Sequence, residues 1–145
     1  MENAATQRHI LVVNDTQELL DLFRDILQDE GYRVSVYSYA VEDLAEIKRL
    51  APDLLILDLI IGGEKNGWRL LQKLKLDRET MTIPILICTA AVETVRELEG
   101  HLRAKGVTVI LKPFDIDDLL QAVSHAWDNL ARDAPPASGG GTPAA

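Results

Sequence analysis

Asp53-Leu54-Leu55-Ile56-Leu57-Asp58 follows Pro52 and stops on a carboxylate. The run is short, rich in Leu and Ile, and free of polar–apolar alternation, which suits a strand buried on both faces of a parallel sheet. Asp58 then stands where the strand runs out, at the carboxyl edge where open α/β sheets gather their chemistry. A lone Asp at a strand exit is more often a turn former than a reactive group. The rest of the chain has to decide between the two.

Before this strand, Ile10-Leu11-Val12-Val13 halts at Asn14-Asp15. A helical pattern follows, with Leu19, Leu22, Phe23, Ile26 and Leu27 on one face, Thr16 as its candidate cap and Gly31 as its stop. Tyr32 to Tyr37 reads as a second strand, Val34 and Val36 alternating with Arg33 and Ser35. A second helix is predicted with Ala40, Leu44, Ile47 and Ala51 inward, ended by Pro52.

After Asp58, Gly62-Gly63-Glu64-Lys65-Asn66-Gly67 is a polar, glycine-rich loop in which Asn66 is placed to cap a third helix carrying Leu70, Leu71 and Leu74. Trp68 is read as a packing residue. Ile83 to Thr89 is the fourth strand, and Val95, Leu98 and Leu102 mark a fourth helix running to Gly106. Val107 to Leu111 is the fifth strand, ended by Lys112-Pro113. Asp115 caps a last helix whose stripe is Ile116, Leu119, Leu120, Val123, Trp127 and Leu130. Strand and helix alternate five times, which implies a parallel sheet with helices on both faces and right-handed crossovers.

The predicted domain spans residues 9–131, between a polar N-terminal tail (1–8) and a flexible Pro/Gly/Ala-rich C-terminal tail (132–145) that has no core-forming residues, and no output domain is expected after it. A net charge of −8 disfavours nucleic acid or an anionic membrane as partner, and leaves room for a cation or a basic protein surface. The single cysteine, Cys88, lies in an apolar run and reads as a small core residue. With no secretory signal and no apolar run near the ~20 residues of a membrane span, the expected location is the cytoplasm. His9, His101 and His125 show no ligand spacing, so zinc is not expected.

Four strands end on chemically useful residues: Asn14-Asp15, Asp58, Thr89 and Lys112. In a parallel sheet these ends share one edge. If the first and third strands are neighbours, Asp15 and Asp58 stand one strand spacing apart, ~4.8 Å. Two carboxylates that close repel unless a cation sits between them or one holds a proton. Oxygen ligands alone favour a hard ion such as Mg2+, and a lysine and a hydroxyl across the same cleft suit phosphoryl oxygens. The group reads as a carboxylate that accepts phosphate with metal help.

With these motifs, together with Asn66-Gly67, Pro84-Ile85-Leu86-Ile87-Cys88-Thr89-Ala90 and Leu111-Lys112-Pro113-Phe114, the chain resembles the receiver domain of bacterial two-component response regulators over residues 9 to about 131. The resemblance implies a flavodoxin-like, doubly wound (βα)5 fold, α/β in class, with a five-stranded parallel sheet of order 2-1-3-4-5. It implies Asp58 as phosphoacceptor, with Thr89 and Lys112 binding phosphoryl oxygens. Asp15, Asp58 and the backbone carbonyl of Ile60 would hold Mg2+ (or Mn2+), Asn14 touching it through water. The Lys112–Pro113 bond is expected to be cis. Implied partners are a histidine kinase or phosphotransfer protein and a downstream effector, with a homodimer through the fourth and fifth strands and their helices as a further arrangement. Neither nucleic acid nor a membrane is a direct partner, and the chain is not expected to be an enzyme in its own right.

This sequence departs from the family pattern. Asn14 replaces one of two leading acids, a change of the kind that costs about 10–100-fold in metal affinity. The loop after Asp58 is a residue longer and lacks proline, which predicts mobility. Val109 occupies the position that commonly holds an aromatic switch residue, and the spacing from Thr89 to Lys112 is altered. A receiver-shaped module that binds partners without phosphate is the alternative reading. A dehalogenase-type phosphohydrolase would need an acid where Ile60 stands. A flavodoxin-like cofactor binder would not place the negative charge of Asp15 and Glu18 against a cofactor phosphate.

Overall fold

The computed structural model describes residues 7–38 and 44–133. Ala40, the side chain of Leu130 and most of both expected tails lie outside the described residues. In chain order the elements are β1 (His9–Val13), α1 (Gln17–Asp29), β2 (Arg33–Tyr37), α2 (Leu44–Leu50), β3 (Leu54–Leu57), α3 (Asn66–Leu76), β4 (Ile85–Thr89), α4 (Val92–Ala104), β5 (Thr108–Leu111) and α5 (Ile116–Asp133). The strands form one parallel sheet in the order β2-β1-β3-β4-β5. This is the expected doubly wound architecture.

The three central strands are apolar because both their faces are covered: every residue of β1, β3 and β4 is buried. Alternate side chains feed two separate cores. Leu11, Val13, Leu55 and Leu57 pack against α2, α3 and α4 through Ile47, Leu70, Leu71, Leu74 and Leu102. Ile10, Val12, Leu54 and Ile56 pack against α1 and α5 through Leu20, Phe23, Leu27, Leu119 and Val123. Each such side chain taken from water contributes about 1.5–3 kcal/mol before entropy is counted, so the central strands anchor the sheet edge to which the polar residues attach.

Helix ends show where local sequence rules held and where packing overrode them. Gly31 (φ +94°) closes α1 in a Schellman arrangement, its own N–H bonding to the Gln28 carbonyl and that of Tyr32 to Leu27. Asp115 and Asp118 exchange side-chain-to-backbone hydrogen bonds of 2.8 and 3.3 Å, so Asp115 caps α5 as its sequence implies. Thr16 occupies the N-cap position of α1, but its side chain bonds no helix N–H. Asn66 is the first residue of α3, not its cap; its amide donates to the Ile61 carbonyl at 2.9 Å.

Some expected buried positions are also corrected. Leu22 is 46% exposed while Leu20 is fully buried, the stripe of α1 being centred on Leu20, Phe23 and Leu27. Ala51 leaves the helix at φ +48° and is exposed. Ile116, at the very start of α5, is 53% exposed.

Candidate functional site

The register of the sheet builds the site. Val13 pairs with Leu57, so the residues one step on, Asn14 and Asp58, face each other across β1 and β3. Asp15 lies one residue further out, so the expected lateral pairing of Asp15 with Asp58 gives way to Asn14 with Asp58. The Asn14 amide nitrogen lies 3.4 Å from Asp58 Oδ2. Its oxygen accepts the Thr16 N–H at 2.8 Å, which sets the orientation of the amide, since only oxygen can accept that bond. Both residues are buried, Asn14 at 2% and Asp58 at 7% exposure.

Asp58 is held from three directions. Its Oδ2 also accepts the Lys112 ammonium at 2.8 Å, while Oδ1 accepts the Ile60 N–H at 3.1 Å. Lys112 is delivered by the β4–β5 ladder: Thr89 pairs with Leu111, and the Lys112 N–H bonds to the Thr89 carbonyl at 2.9 Å. The Lys112–Pro113 peptide bond is cis. Thr89 is 1% exposed, and its hydroxyl accepts the Ala91 N–H at 3.2 Å. Among the described residues, the hydrogen bonds to the Asp58 carboxylate come from Asn14, Ile60 and Lys112, and none comes from Thr89.

Asp15 is exposed and reaches the loop after β3, where its Oδ2 accepts the Gly62 N–H at 2.8 Å. That loop closes as a turn. Ile61 and Glu64 exchange backbone hydrogen bonds of 2.9 and 3.3 Å around Gly62 and Gly63, whose φ values of +66° and +77° suit a two-glycine turn.

Gly67 is a site residue that a motif reading leaves without a physical role. A Cβ placed there would lie 1.7 Å from the Asp58 carbonyl oxygen. The first turn of α3 therefore packs directly on the backbone of Asp58, which only glycine permits. The available signal was the Asn66-Gly67 pair itself.

Val109 and Leu111 line a groove of about 570 Å³ between α4 and β5, together with Val92, Val95 and Leu102. Cys88, next to Thr89, is buried, and burial pushes its thiol up to about 12, helped by Asp58 and opposed by Lys112. His9 belongs to the other edge of the sheet: Nδ1 donates to the Leu50 carbonyl at 3.2 Å and Nε2 meets the Ser35 hydroxyl at 2.7 Å.

Among the described residues no three His, Cys, Asp or Glu side chains gather into a metal cluster. Asp15, Asp58 and the Ile60 carbonyl would offer oxygen donors alone, and Mg2+ commonly takes one or two carboxylates and keeps its waters. The donor set fits a hard ion. Asn14 turns its amide nitrogen toward Asp58, and its oxygen accepts the Thr16 N–H.

Comparisons with known proteins agree with one another. The sequence profile of a family described as response regulator receiver domain matches residues 10–124. The chain is 34% identical over 118 residues to the alginate biosynthesis transcriptional regulatory protein AlgB of Pseudomonas aeruginosa, covering 81% of this chain and 25% of that protein. It is 32% identical over 117 residues to the DNA-binding response regulator MtrA of Mycobacterium tuberculosis, covering 81% and 49%. It thus spans half or less of the length of these relatives. Among solved structures, a CheY-like response regulator receiver domain protein from Methanospirillum hungatei superposes with a TM-score of 0.76 at 26% identity, covering 89% of this chain and 100% of that one. Chemotaxis response regulator CheY4 of Vibrio cholerae gives 0.72 at 25%, covering 83% and 99%.

Proposed function

As the chain belongs to the receiver-domain family of two-component response regulators, we propose that Asp58 is its phosphoacceptor and that phosphorylation switches a protein-binding surface. The single observation that supports this most is the contact of Lys112 with Asp58 at 2.8 Å, made at the sheet edge between two largely buried side chains. In the transfer, a carboxylate oxygen of Asp58 attacks phosphorus on a phosphohistidine. The N–P bond breaks, an O–P bond forms, and the imidazole nitrogen keeps the electron pair.

Lys112 is placed to follow the new charge, pairing with a phosphoryl oxygen in place of the carboxylate it holds at rest. The Thr89 hydroxyl, which accepts the Ala91 N–H, would turn to a second phosphoryl oxygen. Asp15, Asp58 and the Ile60 carbonyl would hold Mg2+ or Mn2+, which when bound supplies neutralising charge to the phosphoryl oxygens.

Movement of Thr89 and Lys112 acts directly on the ends of β4 and β5, and so on the face these strands form with α4 and α5. With Val109 in place of an aromatic ring, the signal passes as a shift of packing along the α4–β5 groove and not as a ring rotation. Phosphorylation biases an equilibrium between two arrangements of that face. The donor is a histidine kinase or phosphotransfer protein. The reader of the face is an effector protein or a second receiver. The DNA binding that gives MtrA its description belongs to that longer protein.

The test is labelling with acetyl phosphate and Mg2+, read on a phosphate-affinity gel. The wild-type chain takes label and Asp58→Asn does not; label retained in that variant sinks the assignment. A phosphate-independent binding module is the second reading, favoured by the Asn14 amide occupying the position beside Asp58. Absence of label in the wild type at high Mg2+ would select it.

A further inference from the structure

Leu76, the last residue of α3, is 87% exposed, and Met81 just beyond it is 46% exposed. With Gln72, Lys75, Ala104 and Lys105 they line a groove of about 460 Å³ between the carboxyl ends of α3 and α4, on the sheet edge opposite Asp58. Among the described residues the lining contains no carboxylate and two lysines, of which Lys75 donates to the Met81 carbonyl at 3.4 Å. Asp77 and Glu79, the acids nearest in sequence, are both drawn to Lys48 at 2.9 Å. In a chain of net charge −8 this is a local reversal of sign. Charges are screened over roughly 8–10 Å at ordinary ionic strength, so a ligand in the groove responds to these lysines more than to the distant acids.

The matching surface is on the same chain. Ile116 is 53% exposed, and Asp115, Asp117 and Asp118 around it are exposed as well. It is a branched apolar side chain set among three carboxylates, where the groove is an apolar hollow set between two ammonium groups. We propose that the chain associates with a second copy of itself, Ile116 of one copy entering the Leu76–Met81 groove of the next while its aspartates face Lys75 and Lys105.

The two surfaces lie on opposite edges of the sheet, and α5 and α3 pack on opposite faces. The contact is therefore heterologous, and it leaves an open groove at one end of the assembly and an open Ile116 turn at the other. With one apolar anchor per contact, the association belongs to the weak, concentration-dependent class. It does not rest on phosphorylation of Asp58.

Sedimentation equilibrium of the full chain over a wide concentration range tests this. The weight-average mass should climb past two copies at high concentration and fall back when salt is raised. Leu76→Asp and Ile116→Asp should each be monomeric, and Lys105→Glu should weaken association about tenfold. Both apolar positions are exposed, so neither change disturbs the core. Mixed together, Leu76→Asp and Ile116→Asp should form a pair and nothing longer, since the first keeps its Ile116 turn and the second keeps its groove. A wild-type monomer at every concentration overturns the proposal. So does a dimer that survives both substitutions, or a mixture that fails to pair.

Discussion

Asn14 presents its amide nitrogen to Asp58 Oδ2 at 3.4 Å while its oxygen is held by the Thr16 N–H at 2.8 Å. The group facing the Asp58 carboxylate is thus a donor, where an acid would present a second carboxylate. The Asp58 carboxylate is met by Asn14, Lys112 and the Ile60 N–H.

Asn14→Asp should reverse this balance. A carboxylate in that place repels Asp58 when no metal is present and adds an acceptor when it is. Mg2+ affinity is expected to rise by about 10–100-fold, measured by titration calorimetry, with thermal stability lowered in chelator and restored by Mg2+. Unchanged Mg2+ affinity would show that Asn14 is not in reach of the ion.

Gly67 and Gly100 should respond in opposite ways to alanine. At Gly67 the added methyl meets the Asp58 carbonyl oxygen at 1.7 Å, and the overpacking of such a site typically costs about 1–3 kcal/mol. At Gly100, within α4, nothing lies within 4 Å, and alanine should stabilise by up to about 1 kcal/mol. Urea denaturation of the two variants checks the pair of signs.

His9 predicts a loss of stability on acidification. Burial holds its imidazole below the ordinary 6.5, helped by Arg33 and opposed by the Leu50 carbonyl and by Asp53. The unfolded chain therefore binds this proton first, so the contribution is fully present above about pH 6.5 and is lost as pH falls through the lower folded value. Unfolding free energy measured between pH 7.5 and 5 should decline less steeply in His9→Gln. An equal slope in both proteins would remove His9 as the cause.

Cys88 should be inert in the folded protein. With the thiol pushed up to about 12 and the side chain 1% exposed, there is almost no thiolate at neutral pH and no path to it. Iodoacetamide is expected to label Cys88 only in denaturant, which mass spectrometry resolves directly. Rapid labelling under native conditions would mean that β4 opens locally.

Local rules read well wherever one residue type has a single physical use. Gly31 and Gly106, both at positive φ, end their helices because other residues are strained there, and the Asp115–Asp118 reciprocal cap needs only its spacing. They fail where a neighbour outside the local window decides. Asn66 looks like a cap, but the turn at Ile61 takes its side chain. Ile116 fits the apolar stripe of α5, but among the described residues no element covers the helix start.

The sequence by itself determined the order of elements, the sheet they form, and the edge on which Asp15, Asp58, Thr89 and Lys112 arrive. Apolar runs and strand–helix alternation follow from burial, which each segment signals alone. The tertiary structure alone decided which of these groups touch. A register of one residue between β1 and β3 puts Asn14, and not Asp15, beside Asp58, and the β4–β5 ladder brings Lys112 across to it. Register is a relation between strands, set by the packing of two cores at once, so no segment read singly contains it.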